Sequence, residues 1–207
     1  MIAGIPIAKV MQISPVFDIL LGCSAIATGV ALERFWTFHF MWLNPMTFIE
    51  KIRPLMVNAR YKEVINICAE EKKPISDMVQ AGVTNIAKGT KNVAKLMEAV
   101  RMSERMELER FLGILGTLGN SAPFIGLLGT VIGIIRAFKM LEMAESMGPT
   151  AIMVGIAEAL VTTALGLLVA VPCVIAFNLF QERIKIISIQ MEMASKELMV
   201  MIKEKSK

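Results

Sequence analysis

Two long uncharged segments constrain the fold of this chain more than any other feature. Residues 111–135 and 159–180 comprise 25 and 22 positions, and neither segment contains a charged side chain. A helix needs roughly 20 predominantly apolar residues to cross the hydrocarbon core of a bilayer. Because only a short polar stretch separates the segments, they predict a transmembrane hairpin.

A third apolar run lies near the start of the chain. Residues 16–32 are interrupted only by Asp18. Ser14 can cap a helix that starts at Pro15, and the helix dipole favours an anion in the first turn. A secretory signal is the competing interpretation, but the leader lacks a basic region and a small-x-small cleavage site, which favours a retained span. Two charges and an aromatic belt typical of the headgroup region follow: Glu33, Arg34, Phe35, Trp36, Phe38, Phe40 and Trp42.

The distribution of basic residues predicts the orientation of the three spans. One Lys or Arg precedes the first span, thirteen lie in residues 33–110, two in the hairpin turn and six after residue 180. Cytoplasmic flanks carry the excess, so the N-terminus is predicted to be periplasmic and the large loop and C-terminus cytoplasmic. The net charge of +4 then follows from topology. Ten acidic residues interleave with the basic residues of the loop, so no nucleic-acid partner is predicted.

The polar parts of the chain are predicted to be helical, which makes this an all-α membrane protein. Short amphipathic helices punctuated by Pro54, Pro74 and Gly89 are expected. Residues 91–112 contain neither Gly nor Pro, so the helix of the second span is expected to start well before the membrane. The third-span helix is expected to continue to about Met201. The apolar positions at helical spacing are Phe48, Ile49, Ile52, Leu55, Met56, Val64, Ile65, Cys68, Ile75, Met78, Val79, Gly82, Val83 and Ile86.

These features divide the chain into four predicted parts. Residues 1–42 hold the external segment, the first span and the aromatic belt. Residues 43–110 form a cytoplasmic helical domain, 111–180 the transmembrane hairpin, and 181–207 a cytoplasmic C-terminal helix.

Small residues and two threonines organise the hairpin. Stripes of small residues let helix backbones approach closely in lipid, and tight packing alone is the simpler interpretation. Thr130 and Thr163, however, are equidistant from a turn centred between Ser146 and Met147. An antiparallel hairpin holds them at similar depth, roughly 10 Å inside the external edge. Glu158 is the only carboxylate at the mouth of this pair. The stripes are Gly119, Ala122, Gly126, Thr130, Gly133 and Ala137 on the second span, and Ala159, Thr163, Gly166 and Ala170 on the third.

The sequence offers little for catalysis or metal binding. The three cysteines share no CxxC spacing, the single histidine, His39, lies in the aromatic belt, and no GxSxG, HExxH or P-loop pattern occurs. We therefore predict no enzyme activity, catalytic residue, disulfide, metal or cofactor. Hydroxyls can hydrogen-bond a titrating group, which must come from another chain. For Thr117 and Thr162 we expect bonding to the carbonyl four residues earlier.

The amino-acid sequence of the predicted hairpin resembles that of a known family. Residues 121–138, SAPFIGLLGTVIGIIRAF, and residues 155–178, GIAEALVTTALGLLVAVPCVIAFN, are similar to the two signature halves of the MotA/TolQ/ExbB family. The three-span layout is similar to ExbB and TolQ rather than to the four-span MotA. The resemblance covers the hairpin, the Glu33–Arg34 end of the first span and the topology, whereas the loop from Leu43 to about Thr90 matches only in character.

The resemblance implies a subunit of an ion-driven motor in the bacterial inner membrane. Family members form a homopentamer whose second and third spans line a pore around a single-span partner of the ExbD or TolR type. The partner's membrane aspartate carries the proton, and the motor energises TonB- or Tol-type envelope transport through a TonB- or TolA-like transducer. Lipid is the other implied partner.

The resemblance also implies site residues. Thr130 and Thr163 match the hydroxyls that face the partner's aspartate, and Glu158 matches the glutamate at the start of the third span. Thr162 is a departure, because many relatives have Ala there, and it leaves open which of Thr162 and Thr163 faces the pore. The residues implied for pore-helix geometry are Pro123, Gly126, Gly129, Gly133, Gly166 and Pro172.

Other functions stay open at the level of sequence. A MotA-like flagellar stator is the nearest alternative, although it would call for a fourth span and a larger cytoplasmic domain. A passive membrane scaffold is the rival from a different class, and it predicts no effect of replacing the threonines. The sequence does not distinguish a proton-driven from a sodium-driven motor. It also does not identify the envelope process that the motor energises.

Overall fold

The computed structural model describes residues 15–41, 45–143 and 150–205, and all regular secondary structure in these ranges is helical. The predictions for Ser14, Trp42 and the hairpin turn at Ser146 and Met147 lie outside the described residues. A short 3₁₀ helix, Ile86–Lys88, precedes α5. The helices are α1 (Pro15–Phe40), α2 (Pro45–Val57), α3 (Tyr61–Glu71), α4 (Pro74–Thr84), α5 (Thr90–Glu109), α6 (Leu112–Met143) and α7 (Thr150–Lys205).

Three helices are long and apolar enough to cross a membrane: α1, the Leu112–Lys139 part of α6 and the Met153–Glu204 part of α7. The prediction of an all-α protein with three membrane-spanning helices is thus confirmed. The chain divides into two compact units. The first unit comprises Met1–Arg34 and Phe111–Leu179, and the second comprises Phe35–Arg110 and Phe180–Lys207. The four-part division along the chain stays a prediction.

Small side chains line the contact between α6 and α7 in the first unit, where Ala122, Ala137, Ala159 and Ala170 are buried. Larger apolar side chains are buried elsewhere in this unit, namely Phe17, Leu20, Leu112 and Leu115. Many other large apolar side chains lie on the outside, for example Phe124 at 71% exposure. This distribution suits helices whose close approach depends on small residues and whose outer surface is solvated by lipid or by other apolar chains.

The second unit has a hydrophobic core of its own, made by one face each of α2 to α5 and the end of α7. The apolar positions that the sequence placed at helical spacing either belong to this core or pack against it, which confirms the amphipathic pattern. Gly82 is one of the buried residues of α4. The core comprises Phe48, Ile49, Ile52, Met56, Val64, Cys68, Ile75, Met78, Val79, Val83, Val93, Met97, Met191, Ala194, Leu198, Met201 and Ile202.

The expectation of one helix from residue 91 into the second span is wrong. Helix α5 ends at Glu109, Arg110 is extended (φ −54°, ψ 136°), and Phe111 has a positive φ of 63°. A bulky residue rarely adopts this left-handed conformation without compensation. The buried guanidinium of Arg34 lies 5.7 Å from the centroid of the Phe111 ring, so a cation–π contact helps to offset the cost. The helix therefore breaks at a position without Gly or Pro, and a tertiary contact with Arg34 accompanies the break.

The helix boundary expected at Pro74 is confirmed, whereas the one expected at Pro54 is wrong. Pro74 is the first residue of α4, where its missing N–H costs nothing. Pro54 lies inside α2, which continues to Val57, so it does not end the helix as expected. The carbonyl of Pro54 still accepts a hydrogen bond from the Asn58 amide at 3.1 Å. Gly89, with φ 84°, separates the 3₁₀ helix from α5 as the sequence predicted.

Candidate functional site

Two glycines allow α6 and α7 to approach most closely in the middle of the hairpin. A Cβ atom on Gly166 would lie 2.7 Å from the Ala122 carbonyl oxygen and 3.0 Å from the Gly126 Cα. A Cβ on Gly126 would lie 3.1 Å from the Thr163 Cα. The 2.7 Å distance is shorter than real Cβ contacts, and the other two are tight contacts with backbone atoms, so the close crossing of the two helices depends on glycine at both positions.

The close approach brings Thr130 and Thr163 together. Their hydroxyl oxygens are 3.4 Å apart, as expected for residues at the same depth of an antiparallel hairpin. The Thr163 hydroxyl donates across the helix pair to the Gly126 carbonyl at 2.9 Å. The Thr130 hydroxyl donates within its own helix to the Leu127 carbonyl at 2.6 Å. Thr130 is 9% exposed and Thr163 is half-buried.

The neighbouring Thr162 occupies a different environment. It is 1% exposed, and its hydroxyl donates to the Glu158 carbonyl at 3.2 Å, which confirms the expected bond to the residue four positions earlier. Its methyl group packs against Gly129, where an added Cβ would lie 2.4 Å from the Thr162 Cγ2 and 3.2 Å from the Val16 Cγ1. Thr162 therefore fills the packed interior between the three helices of this unit.

Gly133, Pro123 and Pro172 contribute packing and helix geometry. Gly133 makes room for Ala159, whose Cβ would be 2.6 Å from a Cβ added at position 133. Pro123 and Pro172 lie inside α6 and α7, where each removes one backbone donor from its helix. Glu158 is half-buried one turn before Thr162, and the hydrogen bond given above uses its backbone carbonyl rather than its carboxylate.

Sequence reasoning missed how far the close packing extends along the hairpin. A Cβ on Gly116 would lie 3.1 Å from the Phe177 ring. Gly155 on α7 leaves room for the Ala137 side chain on α6, whose Cβ would be 2.7 Å from a Cβ added at position 155. Both glycines continue the three-to-four-residue spacing of the predicted stripes, so the same signal would have found them.

Several titratable groups of the second unit have shifted pKa values. Burial raises the pKa of Asp77, and burial followed by repulsion from Asp77 and Glu107 raises the pKa of Glu104. A hydrogen bond from Arg101 holds the pKa of Glu98 below its usual value. Within the described ranges, no group of three or more His, Cys, Asp or Glu side chains is placed to hold a metal ion.

Comparison with known proteins gives the geometry a family context. Residues 70–193 match the MotA/TolQ/ExbB proton channel family. The chain is 42% identical over 91 residues to the Tol-Pal system protein TolQ of Pseudomonas aeruginosa, covering 44% of this chain and 39% of that protein. It is 34% identical over 110 residues to the biopolymer transport protein ExbB of Pseudomonas putida, covering 53% of this chain and 33% of that protein. These alignments thus span less than half the length of either relative.

The fold also resembles that of a solved structure. The structure of MotAB from C. jejuni superposes with a TM-score of 0.59 over 97% of this chain and 80% of that chain, at 16% sequence identity. At this identity the likeness shows the fold alone.

The match over well over half of the chain and the three apolar helices indicate a protein of the bacterial inner membrane. The hairpin that carries the threonine pair lies within the matched residues. The chain belongs to the MotA/TolQ/ExbB proton channel family and is of the ExbB/TolQ type.

Proposed function

We propose that this protein is the ring-forming subunit of a proton-motive-force-driven motor. Five copies surround a single-span partner of the ExbD or TolR type, with α6 and the membrane part of α7 facing the partner. The Thr130–Thr163 pair lies along the ion path, with Glu158 at its mouth, and the motor energises a TonB- or TolA-like transducer. The N-terminus lies in the periplasm and the C-terminus in the cytoplasm.

The observation that carries this proposal is the apposition of the two hydroxyls between two helices whose membrane segments carry no charged side chain. Residues 111–135 and 159–180 contain no charged side chain, so a proton path here needs a carboxyl group from another chain. The distance of 3.4 Å between the hydroxyls makes them a single polar spot that one carboxyl group can contact. The burial of Thr162 supports Thr163 as the pore-facing residue.

The surface of the first unit supports an assembly of several copies. Phe124, Leu128, Leu160, Leu168 and Val171 are exposed on the single chain. Apolar side chains of this size suit either lipid or a neighbouring subunit. A pentamer covers part of this surface, whereas a single copy leaves it entirely to lipid.

The test is substitution of either threonine by valine, which keeps the size and removes the hydroxyl. Thr130→Val and Thr163→Val should each reduce the activity of the proton-driven motor at least about tenfold. Each variant removes one of the hydroxyls that can form a hydrogen bond with the partner's carboxyl group. The assay is rescue of a proton-motive-force-dependent envelope process in a strain that lacks the protein. Thr163→Ser should retain part of the activity.

Thr162→Val is the matched control, since the Thr162 side chain is 1% exposed and packs against Gly129, away from the Thr130–Thr163 pair. This variant should be much milder than the other two. Cross-linking should show that all the variants assemble with the partner. Normal activity of both Thr130→Val and Thr163→Val would favour a passive scaffold. A strong loss of activity in Thr162→Val would instead mean that a different surface of α7 faces the pore.

A further inference from the structure

An amide without a hydrogen-bond partner lies deep in the second membrane span. Asn120 is exposed on the single chain, and its side chain forms no hydrogen bond within the described residues. It lies inside the uncharged segment 111–135, roughly 13 Å from the nearer end at about 1.5 Å per residue. An amide that faces hydrocarbon without a partner is costly, so Asn120 needs a hydrogen-bonding group from outside its own chain.

A matching acceptor lies in the third span. Pro172 has no N–H, so the carbonyl of Leu168, four residues earlier, lacks the donor that a regular helix would supply. Both residues are exposed, with Leu168 at 68%, so this carbonyl lies on an outward face of α7. Leu168 is also roughly 13 Å from the nearer end of its uncharged segment, 159–180. The acceptor is therefore as deep in the hydrocarbon as the donor.

The donor and the acceptor lie at similar depth but on separate faces of the hairpin. Gly119 contacts α7, since an added Cβ would lie 2.7 Å from the Val174 Cγ2 and 3.5 Å from the Cys173 Cβ. In an antiparallel pair this contact places Asn120 at about the depth of Pro172. Asn120 is turned by about 100° from Gly119 around α6, out of the contact with α7. The two groups complement each other but do not meet within one chain.

We propose that the Asn120 amide of one copy donates a hydrogen bond to the Leu168 carbonyl of the next copy around the ring. This inference rests on the proposed function for the ring itself and adds the polar contact that fixes the register between neighbours. Lipid tails offer no hydrogen-bonding group, whereas every copy carries both the donor and the acceptor. Because these lie on different helices, the contact is head-to-tail, places α6 of one copy beside α7 of the next, and repeats around a closed ring.

Disulfide cross-linking tests this geometry. The starting variant has its native cysteines, Cys23, Cys68 and Cys173, replaced by Ala. Asn120→Cys combined with Val171→Cys, the residue before Pro172, should then give on oxidation in membranes a ladder of linked chains up to five. Either new cysteine alone should give no ladder, because a head-to-tail contact does not bring two copies of the same position together.

A double-mutant cycle on the pentamer tests the hydrogen bond itself. Asn120→Leu removes the donor at similar size, and Pro172→Ala restores the N–H that the Leu168 carbonyl lacks. Asn120→Leu should speed the loss of chains from the pentamer in mild detergent about three- to tenfold, measured by native mass spectrometry over time. In the Pro172→Ala background the same change should have little effect, because the acceptor is already satisfied within its helix.

Ser121→Ala is the matched control for the cycle. The Ser121 hydroxyl donates to the Thr117 carbonyl of its own helix at 2.7 Å, so it has no part in the proposed contact. Its small effect on the pentamer should be the same with Pro172 and with Pro172→Ala.

The outcomes separate this inference from the proposed function. An effect of Asn120→Leu that is equal in both backgrounds, or absent from both, would overturn the hydrogen bond. Labelling of Asn120→Cys by a membrane-impermeant thiol reagent in the intact pentamer would also overturn it, because the position would then face water. A ladder from Asn120→Cys alone would overturn the head-to-tail contact. A wild-type protein that is not a pentamer would instead contradict the ring of the proposed function, and this inference with it.

Discussion

Two carboxyl groups of the second unit lie where ionisation is disfavoured. The pKa of Asp77 is raised by burial, and the pKa of Glu104 by burial and by the negative charges of Asp77 and Glu107. A carboxyl whose folded pKa exceeds its unfolded value stabilises the fold below the unfolded pKa and loses that contribution as the pH rises through the folded pKa. Both groups therefore weaken the second unit at neutral pH relative to acid.

Replacing Glu104 by Gln should stabilise the protein at neutral pH. The neutral amide cannot acquire the disfavoured charge, so the thermal midpoint at pH 7 should rise by about 1–3 °C. The gain should disappear near pH 4, where the wild-type carboxyl is already protonated. Thermal unfolding in detergent at the two pH values measures the effect.

Glu109→Gln is the control for this change, because the Glu109 carboxylate lies on the same helix, pairs with Arg105 and is not one of the charges that raise the pKa of Glu104. It should give no gain at either pH. An equal gain from both variants, or a gain from Glu104→Gln that persists in acid, would contradict the assignment to burial.

Cys68 should be chemically inert in the folded protein. Burial, followed by repulsion from Asp77, raises the pKa of its thiol to about 12, and its side chain is fully buried. In a variant that keeps only this cysteine, iodoacetamide at pH 8 should react at least about a hundredfold more slowly before than after unfolding, since the thiolate is the reactive form. Mass spectrometry of the alkylated chain measures this, and rapid alkylation of the folded protein would contradict it.

At the scale of elements, the crossing of α6 and α7 depends on direct contact between the backbones of the two helices. A Cβ at Gly166 meets the Ala122 carbonyl oxygen and the Gly126 Cα, neither of which can move without the helix. A Cβ at Gly82 meets the Met97 sulfur at 2.7 Å instead, which is part of a flexible side chain. A Cβ at Gly113 has no neighbour within 4 Å. The three glycines form a graded series of steric demand.

Alanine at these three positions should give a graded loss of stability. Gly166→Ala should lower the free energy of unfolding by about 1–3 kcal/mol or prevent folding, because overpacking cannot be relieved locally. Gly82→Ala should cost less, and Gly113→Ala should be neutral or stabilising, since Ala is the better helix former. Thermal unfolding and gel filtration in detergent measure the order. A tolerated Gly166→Ala alongside a harmful Gly113→Ala would contradict the crossing described above.

At the scale of the whole molecule, the proposed ring needs a surface that a single copy leaves uncovered. The outside of the first unit carries large apolar side chains, and tight helix packing is confined to its inside. Lipid can cover such a surface, but shape-matched copies of the same chain can also do so.

The purified protein should be a pentamer in mild detergent or lipid. Native mass spectrometry would give the mass of the assembly directly, with five chains expected and additional mass where the partner is retained. A monomer or dimer under gentle extraction would contradict the ring and, with it, the pore.

How well the sequence predicted this molecule depended on whether the relevant signal was local. The three spans and the core positions of α2 to α4 follow from apolar periodicity, and the match in depth of Thr130 and Thr163 follows from counting along an antiparallel hairpin. The break at Arg110 and Phe111 could not be predicted, because it is associated with the contact with Arg34, far away in the chain. The hydrogen bond of Thr163 also depends on the fold, which brings the Gly126 carbonyl near its hydroxyl. Helix α2 continues past Pro54 for three residues, although proline inside a helix was expected to end it.

The concentration of small residues at the contact between α6 and α7 has a consequence for which substitutions this chain tolerates. In a water-soluble domain, a saturation mutagenesis scan penalises truncation of buried Leu or Phe most strongly. Along the contact between α6 and α7 the penalty should be inverted: Gly126, Gly166 and Ala159 should reject nearly every larger residue, whereas exposed apolar positions such as Phe124 should exchange freely among Leu, Ile, Phe and Met. Outward positions that reject such exchanges would be those that touch a neighbouring subunit or the partner. The scan would thereby map the contacts of the ring from the tolerance of a single chain.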